Sequence, residues 1–105
     1  MASKFVKQVE QIVTGSPLVI FSKTTCGYCA RAKSLLDSMK VTFNAVELNQ
    51  IENGAEVQNA LKEITGQRTV PNIFIKGKSI GGCDDITRMH QQGKLEERLK
   101  EAGVI

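Results

Sequence analysis

Leu18-Val19-Ile20-Phe21-Ser22-Lys23-Thr24-Thr25-Cys26-Gly27-Tyr28-Cys29 is the stretch on which the reading of this chain turns. Its first four residues are an unbroken apolar run, as expected of a short strand covered on both faces. Its last four open a segment with Ala32, Leu35, Leu36 and Met39 on one side, a helix over about Cys26 to Met39. A thiol where a strand enters a helix meets unpaired backbone N–H groups and the positive end of the helix dipole, and both favour the reactive thiolate. Spaced i and i+3, Cys26 and Cys29 share a helix face, so their sulfurs can close a disulfide. Cys26, nearer solvent, is the candidate nucleophile, and Cys29, one turn in, the candidate resolving thiol.

Working outward, Phe5, Val9 and Ile12, joined by Val6 and Val13, have the spacing of an amphipathic helix, with Ser3 as its N-cap and Gly15 and Pro17 ending it. Phe43 to Leu48 reads as a second strand. About Ala55 to Ile64 reads as a third helix that buries Val57, Ala60, Leu61 and Ile64 and closes at Gly66. Asn72-Ile73-Phe74-Ile75 and Lys78-Ser79-Ile80 form a hairpin turning at Lys76-Gly77. Asp84 or Cys83 is expected to cap a fourth helix carrying Ile86 and Met89, and Gly93 separates it from a last one with Leu95 and Leu99. The order α-β-α-β-α-β-β-α-α begins with a right-handed parallel crossover and ends with an antiparallel hairpin. It predicts an α/β fold with a mixed four-stranded sheet and helices on both faces, on a thioredoxin-like plan.

At 105 residues the chain fits one domain, residues 1–105, with a core sufficient to fold without staples. The net charge of +3 is mild and the lysines and arginines are interspersed with acids, so neither nucleic acid nor a membrane surface is implied. Met1 to Glu10 lacks an apolar run and contains an acid, unlike a secretory signal, and no stretch approaches the roughly 20 apolar residues of a membrane span. A cytoplasmic setting is the expectation. There, three cysteines, an odd number, point to redox chemistry or metal rather than a structural disulfide.

The pair Cys26 and Cys29 is open to three readings: a redox dithiol, half of a zinc site, or two unrelated core cysteines. Zinc normally takes four ligands, and the chain offers only Cys83 and His90 besides. A c-type haem would need His after Cys29, where Ala30 stands.

Lys23-Thr24-Thr25-Cys26-Gly27-Tyr28-Cys29, then Thr69-Val70-Pro71, then Gly81-Gly82-Cys83-Asp84-Asp85 occur in the order and spacing of dithiol glutaredoxins, which the chain resembles from about Phe5 to Leu99. Thioredoxin proper is less similar: no Trp precedes Cys26, and Tyr28 stands where it has Pro. The resemblance implies glutathione-dependent reduction of glutathione mixed disulfides and protein disulfides, with glutathione as co-substrate and Cys26 and Cys29 as nucleophile and resolving thiol.

The same resemblance implies a glutathione site. Lys23 would stabilise the Cys26 thiolate and attract the glycine carboxylate of glutathione, which Gln58 and Arg68 would also contact. Thr69, Val70 and Pro71 would form a loop with a cis Val–Pro bond, leaving the Val70 backbone to pair with the cysteine of glutathione. Gly82, Cys83 and Asp84 would hold the γ-glutamyl end, and Tyr28 would flank the sulfurs. Each residue also has a plainer reading: a solvated Lys23, exposed Gln58 and Arg68, a strand-starting Pro71, a helix-capping Asp84. Cys83 is expected to be a small buried thiol without a catalytic role, Asp85 a helix-dipole partner, and His90 a packing or surface residue.

A second implied activity rests on Gly27. Many glutaredoxins have Pro there, and several members with a small residue bind a 2Fe-2S cluster between two subunits. In that alternative Cys26 is the metal ligand, with glutathione supplying the remaining sulfurs, and the protein is a cluster-bridged homodimer rather than a monomer. Expected partners are glutathione and glutathionylated or disulfide-bonded proteins.

Overall fold

The Leu18–Ser22 run is strand β1, and all five of its residues are buried. Leu18 and Ile20 point into one core, Val19 and Phe21 into another on the opposite face, the two-residue alternation of a strand at the centre of a sheet. The computed structural model describes residues 3–105; Met1 and Ala2, part of the N-terminal stretch read above, lie outside them. Around β1 run α1 (Lys4–Thr14), α2 (Gly27–Ser38), β2 (Asn44–Glu47), α3 (Gly54–Thr65), β3 (Asn72–Ile75), β4 (Lys78–Gly81), α4 (Cys83–Gln91) and α5 (Lys94–Glu101). This is the order expected from the sequence.

The sheet runs β2-β1-β3-β4, with β1 and β2 parallel and the other pairs antiparallel. One core joins Leu18, Ile20, Ile73 and Ile75 of the sheet to Ala32 and Leu36 of α2, Ile86 of α4 and Leu95 and Leu99 of α5. The other joins Val19, Phe21 and Phe74 to Val9 and Val13 of α1 and to Val57, Ala60 and Leu61 of α3. Phe21 and Phe74 meet edge to face at 5.6 Å between centroids. Fully burying a side chain of this size contributes about 1.5–3 kcal/mol.

Three expectations are corrected. Ile64 is 41% exposed: its spacing continues the buried stripe of α3, but in the last turn nothing covers it before Gly66 turns away with φ +79°. Cys26 caps α2 rather than lying in its first turn. The cap of α4 is Gly82, not Asp84 or Cys83; Asp85 reaches back from the third helical position to accept the Gly82 N–H at 2.8 Å. Ser3 does cap α1, accepting the Val6 N–H, and the hairpin turns at Lys76 and Gly77, both at positive φ.

Candidate active site

β1 ends at Ser22, and the chain needs only Lys23, Thr24 and Thr25 to reach Cys26. That short loop is fixed at both ends. The Cys26 N–H closes a turn onto the Lys23 carbonyl at 3.0 Å. Asn49 accepts the Thr24 N–H at 3.1 Å and donates to its hydroxyl at 2.6 Å. Cys26 is therefore delivered as the N-cap of α2, and its sulfur accepts the Cys29 N–H at 3.3 Å. Sulfur occupies the position that a Ser or Asp oxygen usually takes at a helix start.

This placement separates the two thiols chemically. Cys26 is half-buried, and burial alone would push its thiol up. Hydrogen bonds from the Cys29 side chain, the Cys29 N–H and the Tyr28 N–H, with the positive charge of Lys33, outweigh that and hold it below the ordinary cysteine value. Cys29 is fully buried, and its thiol is pushed up to about 12. Burial is the first cause, followed by its hydrogen bond to Cys26 and the negative charge there; the Lys23 N–H and Lys33 pull the other way. One thiol is poised to ionise and its neighbour to keep its proton.

A groove of about 370 Å³ lies beside Cys26, walled by Tyr28, by the loop carrying Gln67, Thr69, Val70 and Pro71, and by Gly82, Cys83, Asp84 and Asp85 at the start of α4. The Val70–Pro71 bond is cis, as the resemblance implied. The Val70 carbonyl lies 3.8 Å from Cys26 Sγ, within reach of a thiol donor. Gln67 holds this loop: its Nε2 donates to the Thr69 and Pro71 carbonyls, both at 2.9 Å. Gly82 packs so closely that a Cβ there would stand 3.1 Å from the Pro71 carbonyl oxygen. Cys83 is a buried free thiol at the groove wall. Tyr28 is 59% exposed, with the Arg31 guanidinium 5.6 Å from its ring centroid.

Lys23, Gln58 and Arg68 do not line the groove. Gln58 is buried and donates to the Arg68 carbonyl at 2.8 Å, while the Arg68 Nε donates to Asn59 at 3.2 Å. Lys23 meets the cysteines through its backbone. His90 is exposed on α4, away from the groove. Gln67, Asn49 and Lys33 carry no local sequence signal that marks them as site residues. Gln67 adjoins Arg68, and its role follows from the bend of the loop after Gly66, which brings its side-chain amide to the Thr69 and Pro71 carbonyls. A larger hollow of about 570 Å³ opens at the other end of β1, between Leu18, Phe43 and Val104, and holds none of the predicted site residues.

Known proteins resemble this chain in sequence and fold. Residues 18–80 fit the family model described as Glutaredoxin. The chain is 52% identical over 100 residues to Glutaredoxin-C1 of Arabidopsis thaliana, covering 95% of this chain and 80% of that protein. Among solved structures, a buckwheat glutaredoxin–glutathione complex superposes with a TM-score of 0.95 at 48% identity, over 97% of this chain and 93% of the other. The holo form of glutaredoxin C1 from Populus tremula x tremuloides superposes at 0.93 and 42% identity, over 95% and 99%. A capping cysteine sulfur, a buried partner thiol and a groove beside them, in a chain so similar over nearly its whole length, mean that it belongs to the glutaredoxin family of glutathione-dependent thiol–disulfide oxidoreductases.

Proposed function

We propose that Cys26 is the nucleophile of this glutaredoxin and Cys29 its resolving thiol. The observation that carries the assignment is the capping sulfur of Cys26, which holds its thiol low while burial holds that of Cys29 high. The Cys26 thiolate attacks the glutathione sulfur of a mixed disulfide. The bond between that sulfur and the target's sulfur breaks, and the target leaves as a thiolate that takes up a proton. A second glutathione thiolate then attacks the glutathione sulfur on Cys26, forming oxidised glutathione and restoring the Cys26 thiolate. Rate follows thiolate fraction, intrinsic nucleophilicity and leaving-group pKa, which favours a moderately lowered attacking thiol.

With a protein disulfide, Cys26 becomes linked to the target and Cys29 attacks the Cys26 sulfur, expelling the target's second thiol. Once Cys26 is bonded to another sulfur its charge is gone, and with it two of the causes that raise the Cys29 thiol. Burial still opposes ionisation, but the resolving thiol ionises more readily once there is a mixed disulfide to resolve. Two glutathiones reduce the resulting Cys26–Cys29 disulfide.

We assign the groove to glutathione. Val70 pairs its backbone with the cysteine of glutathione, Thr69 and Pro71 shape the loop, and Tyr28 covers the sulfurs. Gly82, Cys83 and Asp84 receive the γ-glutamyl end, where helix N–H groups suit the carboxylate and Asp84 the ammonium. Lys23 and Arg68 attract the glycine carboxylate from outside the groove. Gln58 serves by fixing the Arg68 backbone rather than by touching ligand. The reaction suits a reducing, cytoplasmic setting, with glutathionylated and disulfide-bonded proteins as substrates.

The cluster-bridged homodimer is the lesser reading. Nothing within 4 Å would obstruct a side chain at Gly27, and Cys26 is partly accessible. Cys29 is fully buried, so Cys26 would be the ligand each chain brings, with glutathione supplying the remaining sulfurs. Anaerobic purification with glutathione, followed by visible absorption and gel filtration, distinguishes a coloured dimer from a colourless monomer. The principal function is tested with a glutathionylated peptide and excess glutathione: catalysed release of the free peptide thiol with equimolar oxidised glutathione is expected, and release no faster than in the protein's absence would contradict it.

A further inference from the structure

A second polar assembly lies outside the groove, behind the two cysteines. Lys33 shares a face of α2 with Cys26 and Cys29, at spacings of three and then four residues. Its ammonium donates to both carboxylate oxygens of Glu47, at 2.7 and 3.1 Å. Glu47 ends β2 directly opposite Ser22, the end of β1, and the buried Ser22 hydroxyl donates to the same carboxylate, at 2.6 Å to Oε2. The Lys33 and Glu47 side chains are 26% and 15% exposed. One carboxylate therefore joins the three elements that converge on the cysteine loop.

Such a pair is poorly explained by stability alone, because largely desolvated ion pairs roughly break even against apolar residues of similar volume. An aliphatic residue at 33 could fill the same space beside α2 without burying a charge. What it would not supply is a cation fixed on the cysteine face of the helix.

We propose that Lys33 is a positioning residue for the thiol chemistry: Glu47 and Ser22 hold its ammonium on the dithiol side of α2, where it favours the thiolate of Cys26. Its charge favours the thiolate at both sulfurs. The remaining charged groups at this end are Lys23 before Cys26, Arg31 over Tyr28, Arg68 on the Val70 loop, and Asp84 and Asp85 at the start of α4. The proposal rests on Cys26 being the nucleophile, and its test reads the thiol directly rather than turnover, so the two can fail separately.

The experiment is the pH dependence of Cys26 alkylation by iodoacetamide, with the labelled cysteine identified by peptide mass, in the wild type and in Lys33→Met, Lys33→Arg and Glu47→Gln. Lys33→Met should move the midpoint up by about half a pH unit, and Lys33→Arg should restore it. Glu47→Gln keeps an acceptor for Lys33 and removes only the opposing charge, so its midpoint should stay at or below that of the wild type. Should Lys33→Met not fold, the double variant Lys33→Met/Glu47→Met, which strands no carboxylate, carries the same expected rise. An unmoved midpoint on loss of Lys33, or a rise in Glu47→Gln, would overturn the proposal and mark the assembly as structural.

Discussion

The Cys29 backbone N–H donates to Cys26 Sγ at 3.3 Å, so the first thiol of the pair caps the helix that buries the second. The sign of the pH dependence follows. A thiol held low reacts increasingly as pH rises and levels off below the ordinary cysteine value of about 8.5. Iodoacetamide should label Cys26 with such a profile while Cys29, near 12, stays unlabelled at neutral pH. Equal labelling of both at pH 7 would be inconsistent with the capped geometry. The same lowered value means that the thiolate stabilises the fold fully above the unfolded pKa and loses that contribution as pH falls through the folded one.

Gln67 is expected to govern affinity rather than chemistry. Its Nε2 ties the Thr69 and Pro71 carbonyls on either side of Val70. Gln67→Ala leaves both carbonyls unpaired and loosens the loop, at about 1 kcal/mol. Steady-state kinetics with a glutathionylated peptide should show KM for the peptide raised about fivefold with kcat within about twofold. A fall in kcat at unchanged KM would place Gln67 in the chemical step instead.

Gly81 has φ +101°, and a Cβ there would stand 2.2 Å from Asp85 Oδ2. Gly81→Ala forces both an unfavourable backbone and displacement of the carboxylate that caps α4 through Gly82. Denaturant unfolding should show a loss of about 2–3 kcal/mol. A loss below about 0.5 kcal/mol would mean that the β4–α4 junction relaxes freely.

Lys33 and Glu47 should leave an acid signature in stability. Lys33, with the Ser22 hydroxyl, holds the Glu47 carboxyl below its ordinary value against the opposing effect of burial. A depressed carboxylate contributes stability above its unfolded pKa of about 4.3 and loses it as pH falls through the folded value. Lys33→Met should thus be less stable than wild type by about 1–2 kcal/mol at pH 7, with the gap closing below pH 4. A gap of constant size from pH 7 to pH 3 would assign the loss to packing of the lysine stem.

Much of this was legible in the sequence. β1, buried on both faces, declared itself by an unbroken apolar run, and the hairpin by Lys76-Gly77 between two apolar segments. Cys26 could be placed because paired cysteines at a helix start carry local meaning, and Val70 and Gly82 because their motifs resemble those of glutaredoxins. Lys33, Glu47 and Gln67 could not. Lys33 and Glu47 look like ordinary surface residues until β2 is paired beside β1, and such long-range pairing leaves no local periodicity; Gln67 acts locally, but only once the loop that follows Gly66 is bent back on itself. The same limit explains Ile64, whose spacing is that of a buried residue on a helix that outruns its partner.

The division of labour between the two thiols is tested by assaying Cys26→Ser and Cys29→Ser side by side on a glutathione mixed disulfide. Cys29→Ser should retain deglutathionylating activity, because glutathione itself completes the cycle, whereas Cys26→Ser should fall to the uncatalysed rate. Equal activity in the two variants would contradict the assignment.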